Sequence, residues 1–140
     1  MNTLVIIRSG LANAWISGLF VALDGATKGK QVGVLFSEEA LKVLNGEPFF
    51  WSPLLRDKET MNTMAKNAAG GTINFQSSRD RRQIDLWRLV KGAQGKGVQF
   101  YACSSWSKLL GMDKFPEGMQ VLSQEELSQT MDNATRIWSF

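Results

Sequence analysis

The sequence predicts an α/β fold, a mostly parallel sheet flanked by helices, and three observations predict it. Two short apolar runs, TLVII at Thr3–Ile7 and QVGVLF at residues 31–36, lack polar alternation, as strands buried on both faces do. Each is followed by a helical pattern, and the resulting β-α-β-α order calls for right-handed crossovers between parallel strands. A further β-rich run, residues 98–102, again leads straight into a helix-like stretch. With 140 residues, 44% of them hydrophobic, the chain can bury one real core and is short for two, so residues 1–140 are read as a single domain.

The first strand should be central. Arg8, Ser9 and Gly10 end it, and Asn13 is in place to cap a helix over residues 14–28 that Gly29 stops. Trp15, Leu19, Ala22 and Ala26 make one apolar row on that helix, and Ile16, Phe20 and Val21 widen it. Only Ser17, Asp24 and Lys28 suit water. A helix apolar nearly all round is covered on more than one side, which predicts a sheet beneath it and a neighbouring subunit above.

After the second strand, Ser37 is the expected N-cap of a brief helix with Glu38 and Glu39 in its first turn, closed by Asn45 and Gly46. Residues 47–78 are less regular. Pro48, Phe49, Phe50, Trp51 and Pro53 form an aromatic loop with two readings: it covers a pocket or an oligomer contact, or it packs into the core as irregular structure. Residues 58–69 fit a helix carrying Met61, Met64 and Ala68 and ended by Gly70 and Gly71, and residues 72–75 read as extended.

A helical pattern with Leu86, Trp87, Val90 and Ala93 on its apolar face spans residues 78–94. Its arginines are read as a solvated face, with Asp85 spaced to pair with Arg81 or Arg88 at about 0.2–0.5 kcal/mol per pair. Gly95 and Gly97 release the chain into the strand at 98–102. That strand delivers Cys103, the only cysteine, to the point where Trp106, Leu109 and Leu110 suggest a helix, with Ser104 or Ser105 as its cap. A thiol beside a helix N-terminus is favoured as thiolate, and ligand sites in open α/β sheets lie beyond the carboxyl ends of the strands. The alternative is that Cys103 is a buried small hydrophobe, the common state of a free cysteine. Beyond Met112 the pattern gives a loop with Pro116 and Gly118, a strand at Met119–Leu122, a Ser123/Glu126 capping box opening a helix at Gln124–Asn133, and a last strand or edge segment over residues 136–140.

Composition removes several classes of function. A net charge of +3 and pI near 9.2 do not amount to a nucleic-acid footprint, and the aromatics do not interleave with a basic stripe. One cysteine allows no internal disulfide, which agrees with a cytoplasmic location, and with no histidine the usual zinc sites and Ser-His or Cys-His catalysis lack their parts. Neither GxxxxGK[ST] nor GxGxxG follows the first strand, and Asp24, Glu38, Glu39 and Asp57 form no acid/base pair; no cofactor and no metal are expected. The apolar run at residues 14–23 is too short to span a bilayer and lacks a signal cleavage site, so membrane association is a minor reading.

Cys103 and Gly111 in CSSWSKLLG, LVIIRSGLANAWISGLFVAL around the first strand and helix, VGVLF, and MQVLSQEEL together resemble the DsrE/DsrF-like family of small sulfur-trafficking proteins, which place a cysteine after a late strand with a glycine eight positions on. The resemblance covers most of the chain apart from residues 47–78. It implies a flavodoxin-like fold of about five strands, assembly into trimers or hexamers, and a cysteine that carries sulfane sulfur as a persulfide. On that reading Cys103 is the catalytic residue and the protein a sulfurtransferase or persulfide carrier. Backbone N–H groups of Ser104 and Ser105 would stabilise the sulfur anion, and Ser9 and Gly10 would line the same crevice. Without a second cysteine the chain would exchange sulfur with donor and acceptor proteins or small thiols. The alternative is a non-catalytic oligomeric binding or regulatory module with a structural cysteine.

Overall fold

The alternation of strands and helices builds one parallel sheet. In the computed structural model, which describes residues 2–140, the chain runs β1 (Thr3–Ile7), α1 (Ala12–Thr27), β2 (Val32–Phe36), α2 (Glu39–Leu44), a 3-10 turn (Pro53–Leu55), α3 (Lys58–Ala68), α4 (Leu86–Gly95), β3 (Gln99–Cys103), α5 (Ser104–Leu109), β4 (Met119–Leu122), α6 (Gln124–Asn133) and β5 (Arg136–Ser139). The strand order is β4-β3-β2-β1-β5, and every pairing is parallel. β1 is interior, but the middle place belongs to β2, all five of whose residues are buried.

Alternate strand residues feed two unequal cores. Val5, Ile7, Val34, Phe36 and Phe100 join α1 and α4 on one side, with Trp15 fully buried, its ring 4.6 Å from Phe36 and edge-on to Phe49 at 4.9 Å. Leu4, Leu35, Tyr101, Cys103 and Leu122 pack on the other side with Leu127 of α6. Gly18 brings α1 down onto the sheet: a Cβ there would stand 2.9 Å from Ile7 Cγ1. The outer side of α1 is partly covered within the chain, because Ile16, Phe20 and Leu23 wall a groove of ≈ 700 Å³ with Met64, Ile73 and Phe75. Phe20 stays half exposed. None of the described helices is long and apolar enough to cross a membrane.

Several boundaries differ from the sequence reading, each because a polar group finds a closer partner. Asn13 does not cap α1; Leu11 holds that place, the Ala12 N–H donates to Phe50 O at 2.8 Å, and Asn13 Oδ1 is free to accept from Ser52 N at 3.1 Å. The aromatic loop is thereby tied to α1, with Phe49 and Trp51 against the core and Phe50 and Leu54 exposed. Ser37 does not cap α2, since its N–H continues the ladder to Ile7 O at 3.0 Å and the chain turns at Glu38 instead. Residues 72–75 are not a strand: Asn74 Oδ1 captures Gln76 N, and Phe75 N returns to Ala68 O. Residues 78–85 are not helical either. Ser77 Oγ accepts from Arg79 N and Asp80 N, Asp80 holds both the backbone and the guanidinium of Arg82, and Asp85 accepts from Trp87 N as the cap of α4. Short polar side chains compete in this way with helical hydrogen bonds. Asp85 pairs with neither arginine; Arg88 donates to Gln76 O at 2.6 Å. The capping box of Ser123 and Glu126 and the span of α6 agree with the sequence.

Candidate functional site

Because the strands are all parallel, their carboxyl ends share one edge of the sheet, and the residues singled out from the sequence lie along it. Ser9 and Gly10 follow β1, Cys103 closes β3, and Ser104 and Ser105 open α5. Cys103 is abreast of Leu122 and is 6% exposed. Its side chain belongs to the α6 side of the sheet, among Leu35, Tyr101, Leu122 and Leu127.

Neither serine caps α5. The strand runs through Cys103 and the helix starts at the next residue, so Cys103 itself is the N-cap (φ −73, ψ 119) and its sulfur accepts no capping hydrogen bond. With six residues, α5 is under two turns long and supplies little of the dipole that the sequence argument invoked. Ser105 Oγ donates to Gln124 Oε1 at 3.1 Å, linking α5 to α6, and Ser107 Oγ donates to Cys103 O at 2.6 Å.

Ser9 and Gly10 serve the other side of the sheet. Ser9 O accepts from Trp15 Nε1 at 2.9 Å and Ser9 Oγ from Leu11 N at 3.0 Å. The Gly10 N–H points to Glu39 Oε2 at 3.4 Å, and a Cβ there would touch Val43 Cγ2 at 3.6 Å. With β2 between them, β1 and β3 are about 10 Å apart. These two residues organise the starts of α1 and α2; neither is hydrogen-bonded toward Cys103.

Two residues that the sequence reading did not assign to the site, Ser37 and Glu38, stand between. Phe36, the last residue of β2, pairs with Ala102, and carrying that register one residue further sets Ser37 abreast of Cys103. Leu35 faces α6, and Ser37, two residues on, shares that face. Glu38 is the one non-glycine residue with positive φ among those described (φ 55, ψ −130). Ala40 N donates to Ser37 O at 3.2 Å, closing a turn whose second position ordinarily takes glycine. Arg8 Nε donates to Glu38 Oε2, and that carboxylate raises the guanidinium above its usual range, first through the hydrogen bond and then through charge. Strand period gives the face that Ser37 takes, but only the pairing of β2 with β3 brings it to the cysteine. Nothing in the sequence announces a strained glutamate.

A recess of ≈ 290 Å³ lies between β3, β4 and α6, walled by Tyr101, Leu122, Glu126 and Thr130 among others and not by Cys103. Burial raises the Tyr101 phenol above its ordinary range. The larger groove lies on the opposite side of the sheet and holds none of these residues. Among the described residues no three His, Cys, Asp or Glu side chains gather to hold a metal.

No family profile and no curated protein matches the sequence. Among solved structures, the ychN protein from E. coli superposes over 100% of this chain and 100% of its own, with a TM-score of 0.62 and 13% identity. A protein of unknown function, MTH1491 from Methanobacterium thermoautotrophicum, covers 97% of this chain and 99% of its own, with a TM-score of 0.49 and 16% identity. The likeness to ychN is one of fold: the chain has the DsrE-like α/β fold that the sequence resemblance implied.

Proposed function

We infer that the protein is a persulfide carrier of the DsrE/DsrF kind, loading sulfane sulfur on Cys103 and passing it on. The observation that carries this reading is the position of the single thiol. It closes a strand at the carboxyl edge of a parallel sheet, where such folds hold their ligands, and it stands next to a turn kept in a strained conformation, a feature that clusters at functional sites.

The chemistry is two thiol exchanges. Cys103 thiolate attacks the outer sulfur of a donor persulfide R–S–SH; the donor S–S bond breaks, R–S⁻ leaves, and Cys103–S–SH forms. Cys103 rises to the persulfide level as the donor falls to thiol, so no outside oxidant is needed. An acceptor thiolate then attacks the outer sulfur, the Cys103 S–S bond breaks, and the thiolate returns. With no second cysteine, the chain depends on a partner protein or small thiol for both steps. The reading keeps Ser104 and Ser105 beside the thiol and Ser9 and Gly10 farther along the same carboxyl edge, from which a sulfur donor would approach. It also includes assembly into a trimer or hexamer, for which Phe20, Ile137 and Trp138 supply exposed apolar surface.

The test compares the native protein with Cys103→Ser after incubation with polysulfide, then with a small thiol as acceptor. The reading expects a sulfur adduct on the native chain that the thiol removes, no adduct on the variant, and equal far-UV circular dichroism. A second reading, a non-catalytic oligomeric module, is favoured by the 6% exposure of Cys103 in an apolar cluster. It expects a thiol that takes no sulfur until the protein is unfolded.

A further inference from the structure

Ser37 combines two properties that rarely occur together. It is 7% exposed, and its hydroxyl has no hydrogen-bond partner among the described residues, although its N–H and C=O are both used. No polar side-chain atom of the described residues is both fully enclosed and unpartnered, so the oxygen still meets solvent. A hydroxyl on a 7% exposed residue with no protein partner is free to bond a group that enters beside it.

The backbone fixes where that hydroxyl stands. Ser37 N donates to Ile7 O at 3.0 Å and Ser37 O accepts from Ala40 N at 3.2 Å, while Glu38 holds a glycine-like conformation and is clamped to Arg8. A non-glycine residue in such a turn costs on the order of 1–3 kcal/mol, which the surrounding contacts must offset. The strained residue directly follows Ser37, which falls opposite Cys103 when the β2–β3 register is carried one residue past Phe36 and Ala102, and on the face of Leu35 by strand alternation.

We propose that the Ser37 hydroxyl is the hydrogen-bond donor for the outer sulfur of the loaded Cys103 persulfide. The resting thiol leaves the hydroxyl unpartnered, whereas loading extends the side chain by one S–S bond of about 2.05 Å. The added sulfur is an anionic acceptor, directed to the neighbouring strand position. Ser37 thus acts on the loaded state, holding sulfur against premature loss. This rests on the carrier reading of Cys103 and adds to it the residue that selects persulfide over thiol.

The experiment equilibrates wild type, Ser37→Ala and Ser37→Thr with polysulfide and a competing small thiol. It measures the loaded fraction by intact mass, and the iodoacetamide alkylation rate of each unloaded protein. A hydrogen bond to a charged group predicts a loading constant about tenfold lower in Ser37→Ala, near wild type in Ser37→Thr, with the alkylation rate of unloaded protein unchanged. Equal loading of Ser37→Ala and wild type overturns the role of Ser37 and leaves the carrier reading standing. So does a Ser37→Thr protein that loads no better than Ser37→Ala. A wild type that never loads overturns both.

Discussion

The hydroxyl of Ser107 donates to the carbonyl oxygen of Cys103 at 2.6 Å, and Ser107 is 3% exposed. The cysteine is therefore held from its own C-terminal side, through its backbone, while its sulfur stays free of hydrogen bonds from α5. Rigid placement without capture is what a group-transfer thiol needs.

Ser107→Ala removes this bond and should cost about 1 kcal/mol. For a chain of this length that corresponds to a fall in Tm of about 3–5 °C. Looser anchoring of the β3–α5 junction should also speed native alkylation of Cys103. Unchanged melting and an unchanged alkylation rate would count against the anchoring role.

Gly18→Ala sets two effects against each other. Alanine is favoured over glycine in a helix by about 1 kcal/mol. The added Cβ, however, would stand 2.9 Å from Ile7 Cγ1 and 3.3 Å from Val5 Cγ1, both side chains fully buried, and such overpacking costs about 1–3 kcal/mol. Urea titration should show net destabilisation. Gly95→Ala, with open space around its Cβ, is the control and should stabilise by about 0.5–1 kcal/mol. A stabilised Gly18→Ala would place α1 further from the sheet than described here.

Tyr101 gives a pH dependence of definite sign. Burial raises its phenol in the folded state, while the unfolded chain ionises near the ordinary value of about 10. Its contribution is therefore fully present below about pH 10 and is lost as pH rises through the folded value. The informative quantity is the difference between wild type and Tyr101→Phe. The stability gap between the two should be flat below about pH 9 and should move against wild type above about pH 10. A gap independent of pH would contradict the burial of the phenol.

The parts of this molecule readable from sequence are those where one physical signal dominates. Unalternating β-branched runs gave β1 and β2, and the Ser123/Glu126 box gave α6 with both ends in register. The misread parts are those where long-range partners override local preference. Asn13 has the chemistry of a cap, but Trp15 N already donates to Leu11 O, so the helix begins before Asn13, whose Oδ1 accepts from Ser52 N instead. Residues 78–85 have helical composition, yet Ser77, Asp80 and Asp85 take the backbone donors that a helix would use. At the candidate site the sequence marks Cys103 and its strand end, because a lone thiol between a β run and a helix is a local pattern. Ser37 and Glu38 became visible only once β2 was seen lying against β3.

The most direct measurement is the intact mass of native protein after incubation with polysulfide, repeated after reduction and on Cys103→Ser. The carrier account predicts a gain of one or more sulfur atoms on the native chain, reversed by reductant and absent from the variant. A native chain that takes up no sulfur, and whose Cys103 reacts with alkylating agents only after denaturation, would contradict the account and leave the thiol as part of the α6-side core.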